Sequence, residues 1–151
     1  MAIARGAGTE IIRTAMFEDI DDTVQKLIIG EQHHIYTVLS IVITCIALQA
    51  AGNQLQINLT GYDSKAGTSA QDHKVFRWQP PVTANDTFVW NDKFSFNGFE
   101  PVDFAGPLDD VTKQNAIADQ GSSVSQYLKA TASNASDNFE VFVTYIDQNN
   151  A

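Results

Sequence analysis

The sequence predicts an all-β protein, an antiparallel β-sandwich or a jelly-roll-like arrangement of strands. Its apolar segments are short, most of them alternate apolar and polar residues with a period of two, and turn-forming residues separate them. Repeated short strands of this kind are typical of sandwiches and jelly rolls. The composition, 44% hydrophobic and 18% charged over 151 residues, fits one globular domain.

Seven segments carry the strand pattern. The second of them is apolar on both faces, which is typical of a strand in the middle of a sheet or between layers. Alternation predicts the core residues Leu39, Leu55, Ile57, Leu59, Val141 and Val143. The predicted strands are residues 24–29, 36–45, 54–60, 75–78, 87–90, 125–132 and 139–147.

Between the strands, Gly52 and Pro80-Pro81 predict turns. Proline ends a strand because it cannot continue the hydrogen-bonded ladder of a central strand. Residues 97–123 are long for a loop in a compact domain. Pro107, followed by Asp109 and Asp110, resembles a helix start, since acids favour the positive end of the helix dipole. We therefore expect a long loop that holds a short helix at residues 108–118.

The N-terminal residues 1–23 lie outside the seven-strand pattern. Glycines precede a small apolar patch, and an acidic cluster follows it; the patch consists of Ile11, Ile12, Met16 and Phe17. This segment is either an extra edge strand of the sandwich or an arm that packs on another subunit. We favour the assembly arm, which divides the chain into an arm of residues 1–23 and a β-sandwich domain of residues 24–151.

Charge and targeting signals restrict the partners. The formal net charge of −9 disfavours nucleic acid and anionic membrane surfaces, since both are bound largely by Lys and Arg. Residues 1–13 lack the apolar centre of a signal peptide, and the apolar run at residues 35–48 is too short to span a membrane. We expect a protein made in the cytoplasm that binds neither nucleic acid nor membrane. The single cysteine, Cys45, lies in the most apolar run and is expected to be a small buried hydrophobe.

No catalytic, cofactor or metal site is predicted. The sequence contains neither a nucleophile elbow nor a phosphate-binding glycine loop. His33 and His34 are adjacent, so on a strand they point to opposite faces and cannot share a metal. The acidic cluster Asp19, Asp21 and Asp22 lacks the glycine and terminal glutamate of an EF-hand, which favours a solvated face over a calcium site.

Carbohydrate binding is the main alternative to a purely structural role. Sandwich modules can stack sugars on aromatic side chains, and the candidate platform residues are Trp78, Trp90, Tyr62 and Tyr127. The competing interpretation is that both tryptophans fill the core or an interface. We favour the competing interpretation.

Four segments carry a resemblance to a known family. They read IYTVLSIVITCIA, NQLQINLTGYD, FRWQPPVTANDTFVWNDKFSFNG and SSVSQYLKATASNASDNFEVFVTYID. Together they resemble small β-sandwich structural proteins of tailed bacteriophages, roughly over residues 24–148. The closing strand at residues 141–147 is the most specific segment. The chain departs from the family in its longer segment at residues 97–123.

The resemblance implies a non-enzymatic virion protein without cofactors. The expected function is that of a head decoration or cement subunit, located in the virion, that binds the major capsid protein or another virion protein. Decoration proteins commonly act as oligomers, so a homo-oligomer is expected. The alternative is a tail or fibre module that recognises a host surface glycan.

Overall fold

A computed structural model describes residues 8–62, 70–81, 85–99 and 125–149. The helix predicted at residues 108–118 and most of the predicted loop lie outside these ranges. Nine strands occupy the described residues: β1 (Thr9–Ile20), β2 (Gln25–Ile29), β3 (His34–Ala47), β4 (Leu55–Tyr62), β5 (Ala70–Trp78), β6 (Thr87–Trp90), β7 (Phe94–Asn97), β8 (Tyr127–Ala132) and β9 (Asn138–Asn149). No helix long and apolar enough to cross a membrane occurs among the residues that the structure describes.

The strands form two antiparallel sheets that pack into a sandwich. One sheet has the order β1-β9-β3-β6, with β7 also paired to β3, and the other has the order β2-β8-β4-β5. The strand pairs are nested along the chain, as in one long hairpin that is folded back on itself. They are β1 with β9, β2 with β8, β3 with β6, and β4 with β5. Wrapping this hairpin so that β9 meets β3 and β8 meets β4 gives a jelly roll. The predicted fold class is confirmed.

The core lies between the two sheets. It contains the inward-facing residues of β3, β4, β8 and β9, with Ile20 and Phe96 at its margins. Leu55, Ile57, Val141 and Val143 are fully buried, as predicted. Leu59 is only half-buried against the core. Cys45 is also fully buried, and burial raises the pKa of its thiol.

Leu39 was predicted in the core and is not among the core residues. The register between β3 and β9 shifts between Val38 and Ser40, which marks a β-bulge at Leu39. A bulge adds one residue to the strand. The inward-facing residues are therefore even-numbered before the bulge, at Tyr36 and Val38, and odd-numbered after it, at Ile41 and Ile43. Strict alternation across the whole strand could not place Leu39 correctly.

The structure shows where most of the predicted arm, residues 1–23, lies. Residues 9–20 form β1, which pairs with β9 along its length. Ile20 at its end is 2% exposed and belongs to the core. The edge-strand alternative therefore describes residues 9–20, because the first strand of a jelly roll is the partner of the last.

Strand β7 was not predicted. It pairs with the first half of β3, while β6 pairs with the second half, so the two short strands share one edge of the sheet. A row of aromatic rings closes this side of the sandwich, with stacked pairs Phe76–Trp90 at 5.2 Å and Trp78–Phe88 at 5.7 Å between ring centroids. These contacts join β5 of one sheet to β6 of the other.

Candidate interaction surfaces

The outer side of the five-stranded sheet carries a row of apolar side chains across four strands. Met16 on β1 is opposite Phe142 on β9, Phe142 is opposite Val42 on β3, and Val42 is opposite Val89 on β6. Met16 is 62% exposed, Phe142 40% and Val89 56%. We call this outer side of the sheet the apolar face. Cross-strand neighbours lie close enough for these side chains to form one continuous patch.

A second row runs parallel to the first on the same face. Ile12 on β1 is opposite Ile146 on β9, and Ile146 is opposite Thr37 on β3. Ile12 is 68% exposed. The hydroxyl of Thr37 is hydrogen-bonded to that of Ser95 at 2.8 Å. A row of Thr14, Thr144 and Ser40 lies between the two, so small uncharged side chains connect the apolar rows.

Charged side chains on this face lie near its ends. Glu140 faces Thr44, whose hydroxyl is 3.1 Å from that of Thr87. Glu10 is opposite Gln148 at the other end of β9. The rows from Phe142 to Ile146 contain no charged residue among the strands described above. The centre of the apolar face is therefore uncharged in a protein whose formal net charge is −9.

The predicted assembly patch is divided by the alternation of β1. Ile12 and Met16 point outward onto the apolar face, where both are exposed. Phe17 is half-buried against the core, and Ile11 is half-buried on the same inward side of the strand. The four residues do not form one surface, but two of them lie within a larger apolar surface that the sequence did not reveal.

The outer side of the four-stranded sheet is cationic. A row of cross-strand neighbours runs over β2, β8, β4 and β5; it consists of Lys26, Lys129, Asn58 and Lys74. Arg77 lies opposite Gln56 on the same side. Four of the nine Lys and Arg residues of the chain therefore share this face. The Lys26 ammonium lies 4.3 Å from the centroid of the Tyr127 ring, a cation–π contact.

One carboxylate balances part of this cationic face. Asp72 accepts hydrogen bonds from Lys129 Nζ and from Thr60 Oγ1, both at 2.7 Å. The hydrogen bond from Lys129 holds the pKa of Asp72 below its usual value. The two outer sides of the sandwich thus differ in chemistry, one uncharged and apolar, the other polar and cationic.

A polar cluster lies at the end of β9, beside β1 and β3. Asp147 is 4% exposed; its Oδ2 accepts a hydrogen bond from Arg13 Nε at 2.9 Å, and its Oδ1 lies 2.6 Å from His34 Nδ1. The hydrogen bond to Asp147 raises the pKa of Arg13. Burying a carboxylate is unfavourable unless it is paired, and both partners here come from neighbouring strands. The cluster therefore ties β1 and β3 to β9.

The His34–Asp147 pair has the geometry that orients a catalytic histidine, but its surroundings fit a structural pair. A general base needs its other ring nitrogen next to the proton that it removes. His34 Nε2 instead lies 3.5 Å from Glu31 Oε2. The backbone amide of Glu31 in turn donates a hydrogen bond to the Tyr36 hydroxyl at 3.0 Å. The ring nitrogens of His34 thus both face carboxylates.

The buried tyrosines beside this cluster predict a loss of stability at alkaline pH. Burial raises the pKa of Tyr36 well above its usual value, and it also raises the pKa of Tyr145. The folded state therefore holds these phenol protons more tightly than the unfolded chain does. Their contribution to stability is complete below about pH 10 and is lost as the pH rises further.

We expect Tyr36→Phe to lower the free energy of unfolding at pH 7, because the hydroxyl no longer accepts the bond from Glu31. Between pH 9 and 11 the variant should lose stability less steeply than the wild type does. Urea titrations at several pH values measure both effects. Equal slopes for the two proteins would contradict the assignment to Tyr36.

The three candidate platform residues whose side chains the structure describes do not come together on one surface. Trp78 and Trp90 stack on Phe88 and Phe76 at the side of the sandwich, on different sheets. Tyr127 lies on the cationic face beneath Lys26. Tyr62 ends β4, and its side chain is outside the part that the structure describes. Glycan binding through these residues stays a prediction.

Acidic residues at and just before the β1–β2 turn accept hydrogen bonds. Asp19 Oδ1 accepts a bond from Asn138 Nδ2 at 2.9 Å, and Asp21 Oδ1 accepts one from the Thr23 amide at 2.7 Å. No group of three or more His, Cys, Asp or Glu side chains is placed to hold a metal ion within residues 8–62, 70–81, 85–99 and 125–149. Asp21 thus caps the turn between β1 and β2, and Asp19 joins β1 to the first residue of β9.

Comparisons with known proteins give weak likenesses. No protein-family model matches the chain, and no curated protein is similar to it in sequence. It is similar to a chain of the disulfide-linked pili of Bacillus endospore appendages at 11% identity, with a TM-score of 0.39 over 100% of this chain and 97% of that chain. It is also similar to a chain of broad bean stain virus at 15% identity, with a TM-score of 0.44 over 96% of this chain and 89% of that chain. Both scores are below 0.5, so neither likeness carries an argument about function.

Proposed function

We propose that this protein is a non-enzymatic structural subunit of a phage virion, a head decoration subunit that binds the major capsid protein. The apolar face is the observation that carries the proposal. Soluble monomers seldom expose large contiguous apolar surface, and such surface is typical of an interaction site. Here one apolar row crosses four strands of the sheet, and the face includes the exposed side chains of Ile12, Met16, Phe142 and Val89.

The chemistry of this face favours a protein partner. Its central rows offer no cation to a phosphate backbone, and affinity for nucleic acid depends on such cations. Its hydroxyl groups at Thr37 and Thr44 are hydrogen-bonded to neighbouring strands. Burial of apolar side chains is the main contribution that it can make to binding.

The jelly-roll architecture alone does not decide between functions. Viral capsid proteins, lectins and cupins share it, and fold does not imply function. A place in a phage virion is supported by the resemblance of the closing strand, at residues 141–147, to small structural proteins of tailed phages.

Binding to heads of the phage that encodes this protein tests the proposal. Heads purified without the protein should take up the wild type to a fixed number of copies per head, as measured by cosedimentation. Phe142→Asp should reduce uptake more than about ten-fold, because binding would bury an unpaired charge.

The matched control is Ile29→Asp, since Ile29 is 58% exposed and lies on the other sheet. It should bind as the wild type does. Absence of wild-type uptake would overturn the decoration role, as would equal uptake of both variants. Binding of the wild type to a glycan array in place of heads would support a tail or fibre module instead.

A further inference from the structure

We propose that the cationic face, the outer side of the four-stranded sheet, is a second interaction surface and binds an acidic segment of a partner protein. The apolar face belongs to the other sheet, so both surfaces can be occupied at once, and this proposal does not depend on the proposed function. The cations that meet the partner's carboxylates are Lys26, Lys74 and Arg77.

The fold concentrates positive charge on this face. The chain has 18 acidic residues against nine Lys and Arg, yet four of the six Lys and Arg in the described ranges lie here. Asp72 is the only acidic residue in β2, β4, β5 and β8. The face is therefore locally positive in a protein whose formal net charge is −9, and a local field of this sign attracts carboxylates.

Three of the four cations have no carboxylate beside them. Lys129 is paired with Asp72 at 2.7 Å. Lys26, Lys74 and Arg77 are exposed, and none of them forms an ion pair within the described ranges. Because acidic residues outnumber cations two to one in this chain, their absence from these three positions leaves the cations available to carboxylates of a partner.

The Asp72 carboxylate shows how this face holds an acid. Its two oxygens accept hydrogen bonds from Lys129 Nζ on β8 and from Thr60 Oγ1 on β4, both at 2.7 Å. Hydrogen bonds between ionised groups of this kind are shorter and stronger than neutral ones. Carboxylates of a partner can make the same bonds with the unpaired ammonium groups on either side, those of Lys26 on β2 and Lys74 on β5.

The positions of these cations fit an extended segment. The row from Lys26 to Lys74 crosses the four strands of the sheet, a span of about 14 Å at about 4.8 Å between strands. About five residues of extended chain cover this distance at about 3.4 Å per residue, and alternate side chains point to the same side. The partner segment should therefore carry Asp or Glu at alternate positions.

The surroundings of the cations favour a protein over nucleic acid. Ile29, which is 58% exposed, and Tyr127 are cross-strand neighbours on this face and add an apolar contact. Tyrosine and arginine are enriched at protein interfaces. Affinity for nucleic acid rises with the number of phosphates that cations neutralise, and this face has three unpaired cations among the described residues. A long polyanion would also extend beyond the face toward a protein of net charge −9, whereas a short acidic segment stays within it.

Binding of a labelled peptide of alternating glutamate and serine tests the proposal. The wild type should bind the peptide at low salt and release it as salt is added, as measured by fluorescence anisotropy, because exposed charge pairs are screened. Lys74→Glu should weaken binding more than about ten-fold, since it replaces an attraction by a repulsion. Lys74→Arg keeps the charge and should bind as the wild type does.

The matched control is Lys93→Glu. It changes the net charge by the same amount at an exposed residue between β6 and β7, off the cationic face, and should bind the peptide nearly as the wild type does. Circular dichroism checks that each variant is folded. Absence of wild-type binding at low salt would overturn the inference. Equal losses for Lys74→Glu and Lys93→Glu would do so as well, and so would tighter binding of a DNA oligonucleotide of the same charge as the peptide.

The outcomes separate the two proposals. Phe142→Asp should still bind the peptide, because Phe142 lies on the other sheet. A protein that binds the peptide through Lys74 yet does not attach to heads keeps the cationic site and loses the decoration role. A protein that attaches to heads through Phe142 and does not bind the peptide keeps the role and loses the cationic site.

Discussion

Replacement of Val141 by aspartate is expected to unfold the domain. Val141 is fully buried in the middle of β9, opposite Phe17 on β1 and Ile43 on β3. An unpaired carboxylate at this position costs on the order of 4 kcal/mol or more. Since domains are stable by only about 5–15 kcal/mol, the variant should lose most of its stability. Urea denaturation followed by circular dichroism measures the loss.

The neighbouring residue provides the matched control. Phe142→Asp introduces the same charge one position along the strand, where the side chain points to the apolar face and is 40% exposed. This variant should keep a free energy of unfolding near that of the wild type, since exposed substitutions change it little. A Val141→Asp protein with a wild-type melting temperature would show that the face assignment of β9 is wrong.

Deletion of residues 1–20 is expected to have the second largest effect. The deletion removes β1, and with it the hydrogen bonds to β9 and the buried side chain of Ile20. Phe17, which packs against the core, is lost as well. Burial of Ile20 and Phe17 contributes roughly 1.5–3 kcal/mol each, a large part of the stability of a domain. We expect the truncated chain to lose its cooperative thermal transition.

The control for the deletion keeps β1 and changes only its outer side chains. Ile12→Ala with Met16→Ala should melt near the temperature of the wild type, because both residues are exposed. If the truncated chain melted as the full chain does, residues 1–20 would be the separate assembly arm that the sequence favoured. The deletion therefore decides between the two interpretations of this segment.

The strands predicted from the sequence are those in which the local pattern of apolar residues matches the residues that the structure buries. In residues 139–147 every second residue from Phe139 to Tyr145 is apolar or aromatic, and the structure buries Phe139, Val141 and Val143 on that face. Residues 94–97 were missed because their alternating FSFN pattern is only four residues long and belongs to a strand that covers half of an edge. The bulge at Leu39 was missed because nothing local to β3 marks where an extra residue is accommodated.

The apolar face shows a further limit of sequence reasoning. Met16, Val42, Val89 and Phe142 come from four strands that are distant in the chain, and in the sequence each is a single apolar residue on a mixed face. They become one surface because the nested pairing of the jelly roll aligns these four positions. Register between strands is a long-range property, which a local pattern does not contain.

The sequence by itself determined the class of the fold, the inward faces of residues 54–60 and 139–147 and the burial of Cys45, because periodicity and turn residues act locally. Only the tertiary structure decided that residues 9–20 are an edge strand, that Arg13 and His34 meet Asp147, and that one outer side of the sandwich is apolar and the other cationic. Each of these depends on which strands become neighbours. Which strands become neighbours is determined by the burial of the whole core, and not by any single segment.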